Sequence, residues 1–175
     1  SAAFFAFSER GWLTWLPLIY AWIIVPVTEL FVKPDSSNLS KAEEEMAKQN
    51  PWYDFMLYVI VPAQFAALVY FLFSMQEAGL TTMEIMGRIG CMGLLCGTFG
   101  INVAHELGHR QNIWEQWMAK MLLATSLYIH FFIEHNKGHH KNVATPQDPS
   151  SARLNEPIYF FYPRTIVYSY LSAWH

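Results

Sequence analysis

Charge is scarce in this chain. Charged residues supply 14% of its 175 positions, against ~25% in soluble domains. Hydrophobic residues reach 53% and aromatics 17%. A soluble fold of this length has no means of covering so much apolar surface, and the composition points to a membrane. Basic residues are scarcer still: 11 Lys and Arg against 14 Asp and Glu leave a formal charge of -3. No basic field is available for gripping nucleic acid, which excludes that class of partner. The two cysteines, Cys91 and Cys96, share one apolar run, which excludes a disulfide framework and reads as buried packing. No basic region precedes the first apolar stretch, so a signal peptide is not indicated. Ser1 to Phe7 reads instead as the tail of an apolar segment. Internal repeats and low-complexity linkers are also lacking.

What the chain does have is long apolar runs. Leu13 to Val32 covers 20 residues with the single charge Glu29, and Phe55 to Ser74 covers 20 with none. Each matches the ~20 residues that a helix needs to cross a bilayer. Pro17, Pro26 and Pro62 are tolerated in membrane helices, where neighbours satisfy the freed backbone groups. Ile89 to Ala104 is uncharged for 16 residues and reaches spanning length if Met83 to Arg88 form its first turns.

Lys33, Lys41 and Lys48 lie between the first two spans, whereas Met75 to Thr82 has no basic residue. Lys and Arg favour the cytoplasmic side, so the third span is expected to return there. Met121 to Ile133, 13 uncharged residues, would cover only roughly 20 Å as a helix. We therefore expect Trp114 to Phe132 to be interfacial or re-entrant. Ile158 to Trp174, aromatic and interrupted by Pro163 and Arg164, suits an interfacial helix. The expected architecture is an all-α integral membrane protein: a transmembrane helix bundle with cytosolic or interfacial helices carrying histidine motifs, in one membrane-embedded domain over residues 1–175.

Five of the seven histidines fall in two clusters, His105-Glu106-Leu107-Gly108-His109 and His135-Asn136-Lys137-Gly138-His139-His140. Residues four apart share a helix face, so His105 with His109, and His135 with His139, are each placed to grip one ion. His140 is turned about 100° away, toward a second ion. Five imidazoles exceed one tetrahedral site, leaving two metals, or one with further ligands, as the readings. Spacing does not name the ion, because imidazole suits Zn, Cu, Fe and Ni alike. The first cluster also matches the H-E-x-x-H pattern of zinc metalloproteases, with Glu106 as general base. That alternative leaves the H-x-x-x-H-H cluster unexplained. A metal-transport or scaffold fragment is a third, non-enzymatic reading. His130 stands alone and reads as a packed residue.

His105 to Arg110 and Glu134 to Arg153, including Asn142-Val143-Ala144-Thr145-Pro146, together resemble the membrane alkane 1-monooxygenases, non-haem di-iron alkane omega-hydroxylases related to the fatty acid desaturases. The likeness continues through Trp117-Met118-Ala119-Lys120 and Asn155-Glu156 and, more loosely, the apolar segments. It implies two non-haem iron ions held by histidines, with His105, His109, His135, His139 and His140 matching the family's iron ligands. It further implies terminal hydroxylation of a medium- or long-chain alkane by dioxygen, with electrons from rubredoxin and an NAD(P)H-dependent reductase. The implied setting is a bacterial inner membrane, multi-pass, with the metal site facing the cytoplasm. Xylene monooxygenases and fatty acid desaturases or hydroxylases are sibling alternatives. Glu106, Glu134, Asp148 and Glu156 are candidate acceptors for the second ring nitrogens. The family also carries a further H-x-x-H-H motif and an additional histidine in an aromatic-flanked motif. Neither occurs in these 175 residues, and the expectation is a fragment holding part of the site. Gly87, Gly90, Gly93, Gly97 and Gly100 recur along the third span, and close helix packing at Gly93 and Gly97 is the favoured reading over a channel.

Overall fold

The structure, a computed structural model, describes residues 2–34 and 37–174. Ser1 and His175 lie outside the described residues. Every regular element is helical, with no strand among the described residues. Helices Gly11–Glu29 (α2), Pro51–Ser74 (α4) and Thr82–Gly108 (α5) are each long and apolar enough to cross a membrane. The chain is an all-α membrane protein, as its composition requires. By contact it divides into two compact units, Ser1–Gly100 and Ile101–His175.

In the first unit, short helix α1 (Ala2–Ser8) packs Ala6 and Phe7 against Cys91 and Met92 of α5. Neither cysteine is disulfide-bonded. Helix α2 is irregular: a 3-10 turn at Gly11–Trp15, a π turn at Tyr20–Ile24 and α-helix at Val25–Glu29. Val25 donates to Tyr20 O, the i→i−5 bond of the widened turn. Widening here relieves Pro26, which has no N–H to donate and whose ring crowds the preceding turn. Helix α3 (Lys41–Lys48) opens on a Ser40–Glu43 capping box. Helix α4 starts at Pro51 behind the Asn50 N-cap and runs unbroken through Pro62.

Close packing of α5 falls on other glycines than those expected. A Cβ on Gly87 would lie 2.8 Å from the Trp15 ring and closer still to Thr14 Oγ1, and one on Gly90 would lie 2.7 Å from Leu18. Gly93 and Gly97, the favoured pair, meet nothing within 4 Å among the described residues. Arg88 is wholly buried. It donates to Ser74 O at 2.5 Å and Glu9 O at 3.0 Å, and pairs with Glu77 at 2.9 Å. Arg10 pairs with the same Glu77 at 2.7 Å. Arg88 first and then Arg10 hold the Glu77 carboxyl below its ordinary value. An apolar cavity of about 450 Å³ is also present here, lined by Tyr20, Ala21, Ala63, Ala67, Leu94 and Phe99 among others.

In the second unit, the expected single stretch Met121 to Ile133 is broken. Helix α6 (Ile113–Ala124) ends in a Schellman turn, with Tyr128 N–H on Leu123 O at 2.9 Å and Leu127 N–H on Ala124 O at 3.1 Å. Leu127 takes the left-handed position (φ 56) usually held by glycine. The following helix, α7 (residues 130–142), is α-helical at His130–Ile133, π-helical at Glu134–His139 and α-helical again at His140–Asn142. Helix α8 (Ile158–Ser172) continues through Pro163 rather than breaking there.

Candidate metal centre

The last turns of α5 and the π segment of α7 supply the site. His105 lies in the final α turn, Asn102–Gly108, and His109 is its C-cap, still near helical geometry (φ -81, ψ -13). Their Nε2 atoms stand 3.2 Å apart. A Cβ on Gly108 would lie 3.4 Å from the Phe132 ring. The Phe132 ring of α7 thus packs beside Gly108 at the end of α5.

The π segment changes the expected pairing. Bonds of the i→i+5 type place residues five apart on one face, and His140 Nε2 lies 3.1 Å from His135 Nε2. His135 Nε2 is also 3.1 Å from His109 Nε2. His140 therefore turns toward the His105, His109, His135 group rather than away from it. His139 stacks on His135 with centroids 5.5 Å apart, and its Nδ1 bonds Asp148 Oδ2 at 2.9 Å. All five boxed histidines thus form one contiguous cluster within the second unit.

The donor set fits a transition-metal ion. The ligand nitrogens of His105, His109 and His135 lie within 4.8 Å of one another. Metal–imidazole bonds of ~2.0–2.1 Å require nitrogens ~2.9–3.4 Å apart, which is the spacing of the three close pairs. Burial, then the neighbouring imidazoles His105, His140, His109 and His139, push His135 down to about 4. Burial and then the imidazoles of His105 and His140 also lower His109. Both shifts favour the neutral ring, the form a metal needs.

The four candidate carboxylates separate. Asp148, 2% exposed, holds His139 and also accepts from Ser150 N–H at 2.9 Å and Ser151 Oγ at 2.5 Å. Burial raises its pKa, but those donors and His139 together hold it below the ordinary value. Glu106 has a side chain 58% exposed and lies 3.6 Å from Arg110. Glu156 is engaged by Arg164, with both contacts at 2.6 Å. Glu134 is buried within the π segment. His130 stays outside the cluster, edge-on to Tyr128 at 4.6 Å and Tyr170 at 5.0 Å.

Sequence reasoning missed Phe131, whose ring stacks on His135 at 4.9 Å and 15°. Its position four residues before His135 was the available signal. Ser150 and Ser151 were also missed as the pair that seats Asp148.

A family profile described as fatty acid desaturase matches residues 84–175, which takes in both histidine segments. The chain belongs to the fatty acid desaturase family. Among curated proteins it is 37% identical to alkane 1-monooxygenase 1 of Alcanivorax borkumensis over 95% of this chain and 42% of that protein. It is 36% identical to an alkane 1-monooxygenase of Pseudomonas putida over the same shares, 95% and 42%. Over a shorter match, 51% of this chain and 24% of the relative, identity to alkane 1-monooxygenase 1 of Pseudomonas aeruginosa is 45%. The chain thus spans about 42% of the length of the first two. These relatives are enzymes, oxidoreductases by name, and the family setting implies non-haem iron.

Proposed function

We propose that the whole protein hydroxylates the terminal methyl group of medium- or long-chain alkanes at a histidine-bound di-iron centre. The observation that carries this reading is the convergence of His105, His109, His135 and His140 through their Nε2 atoms, with His139 oriented by Asp148. The relatives' printed activity supports the substrate class. In the balanced reaction an alkane, dioxygen, two electrons and two protons give a primary alcohol and water. Two iron ions, when bound, supply the dioxygen-activating redox chemistry.

The protein's own residues do the rest. His105, His109, His135, His139 and His140 are proposed as iron ligands. Asp148 would hold His139 with Nδ1 protonated, leaving Nε2 free to serve as a ligand. Phe131 covers one face of His135 and keeps water from it. The cavity beside Ala63 and Ala67 is apolar and of ligand size, which suits an alkyl chain and excludes polar substrates. The electron donor is proposed to be rubredoxin, reduced by an NAD(P)H-dependent reductase. The proposed setting is the bacterial inner membrane, which the family resemblance implies, with the histidines on the cytoplasmic face, which the loop lysines favour.

The zinc-protease alternative is disfavoured by Glu106, whose exposed carboxylate is directed to Arg110. The test is metal analysis with turnover on the full-length protein. Roughly two irons per chain and a primary alcohol from a medium-chain alkane, given rubredoxin and reductase, support the reading. One zinc per chain with peptide cleavage abolished by Glu106→Gln overturns it.

A further inference from the structure

Among the described residues, only two buried side-chain polar atoms have no hydrogen-bond partner, Arg88 Nε and Glu134 Oε1. The arginine offsets its orphan through its other nitrogens, which reach Ser74 O, Glu9 O and Glu77. Glu134 has no such network. Its residue is 4% exposed, and it opens the π segment that carries His135 and His139. A buried carboxylate with an unpaired oxygen is costly unless a positive charge stands near it.

Gly138 shows how that costly position is held. A Cβ built on Gly138 would collide with Glu134 Oε1, Oε2 and Cδ. The carboxylate thus rests against the bare Cα of Gly138, and any larger residue there would evict it. Gly138 is helical with no positive φ, so conformational freedom is not why glycine stands there. Room for the Glu134 carboxylate is.

A cluster of imidazoles is a neutral ligand set, so a cation bound to it keeps its full charge in a partly buried setting. Asp148 is buried at the same segment but is occupied by His139, Ser150 and Ser151. We infer that Glu134 is a positioning residue whose buried carboxylate, berthed on Gly138, is the counter-charge to a metal cation held by the adjacent histidines. This rests on the metal-centre reading above.

The role has a signature that a structural residue would not share. Without metal, the unpartnered buried carboxyl burdens the fold; with metal, its negative charge favours binding. Glu134→Gln keeps the volume and removes the charge. In the full-length apo-protein it is expected to leave the thermal midpoint unchanged or raised. Titration with Co²⁺, followed by its ligand-field absorption, is expected to show affinity down by about tenfold or more. Gly138→Ala is expected to weaken Co²⁺ binding to a similar degree in the parent protein and to add nothing in a Glu134→Ala background. If Glu134→Gln binds Co²⁺ like the parent, or lowers the apo midpoint in step with affinity, the counter-charge role is overturned. If Gly138→Ala costs the same in both backgrounds, the berth is overturned. A parent protein that binds no Co²⁺ overturns the metal-centre reading itself, and this inference with it.

Discussion

His139 and Asp148 stand nine residues apart in sequence and 2.9 Å apart in space, Nδ1 to Oδ2. That contact commits one ring nitrogen of His139 to the protein and leaves Nε2 for a metal. Asp148→Asn keeps the shape but loses the charge that favours the Nδ1-protonated ring. Metal affinity is expected to fall about 10–100-fold, read as iron per chain after dialysis. Iron content unchanged from the parent protein would remove Asp148 from the site.

His130 and His139 should part company under substitution. His130 is packed edge-on to Tyr128 and Tyr170, whereas His139 is stacked within the cluster. His139→Ala is expected to abolish alkane hydroxylation and deplete iron. His130→Ala is expected to retain most of the iron, with a modest loss of stability from the lost ring contacts. Equal iron loss in both variants would show that the division between ligand and neighbour is wrong.

The membrane spans were legible because a bilayer demands ~20 apolar residues in a row: two runs meet that demand outright, and the third, 16 residues long, meets it with the turns that precede it. The two histidine segments were legible because metal ligands cluster at short spacing. The end of α6 was not, because the Schellman turn there uses Leu127 in place of the glycine that would have announced it. His140 was misplaced because an α-helical count was applied to a π turn, whose i→i+5 register is not written in composition. Arg88 was seen only as a turn residue of α5, since its partners at Glu9, Ser74 and Glu77 are joined to it by folding. The glycines of α5 were legible as a stripe, but which of them meet a neighbour depends on where Trp15 and Leu18 lie.

Those glycines make opposite predictions. Gly87→Ala drives a methyl into Thr14 and Trp15, and the overpacking should cost about 1–3 kcal/mol. Gly93→Ala meets nothing within 4 Å among the described residues and should stabilise the helix by about 0.5–1 kcal/mol. Thermal or denaturant unfolding in detergent checks both. Gly87→Ala matching Gly93→Ala would refute the α2–α5 contact.

Acid should expose the Glu156–Arg164 pair. Arg164, then the Arg153 N–H, lower Glu156 from 4.5 to about 2. A depressed carboxylate contributes stability above its unfolded value and loses it as pH falls through its folded one. The parent protein is therefore expected to exceed Glu156→Gln in stability by a constant amount above pH 4.5, with the gap closing between pH 4.5 and about 2. Arg164 also holds Pro149 O and Ser151 O, so it keeps partners in the variant. A gap that is unchanged at pH 2, or already absent at pH 7, would contradict the pairing.

The apolar cavity of the first unit offers the test of substrate length. Its wall is built largely of small or apolar side chains, among them Ala21, Ala63 and Ala67, and the lining Gln64 donates to Cys96 Sγ at 3.5 Å. An alkyl chain gains there by leaving water, at about 0.8 kcal/mol per buried methylene. Ala63→Phe removes part of the volume of about 450 Å³, so each methylene that no longer fits should cost about fourfold in kcat/KM. The expected pattern is activity on shorter alkanes largely retained and activity on longer ones falling stepwise, measured as alcohol formed across a chain-length series. A uniform loss at every chain length would place the alkyl chain elsewhere, and an unchanged profile would leave the cavity without a part in substrate choice.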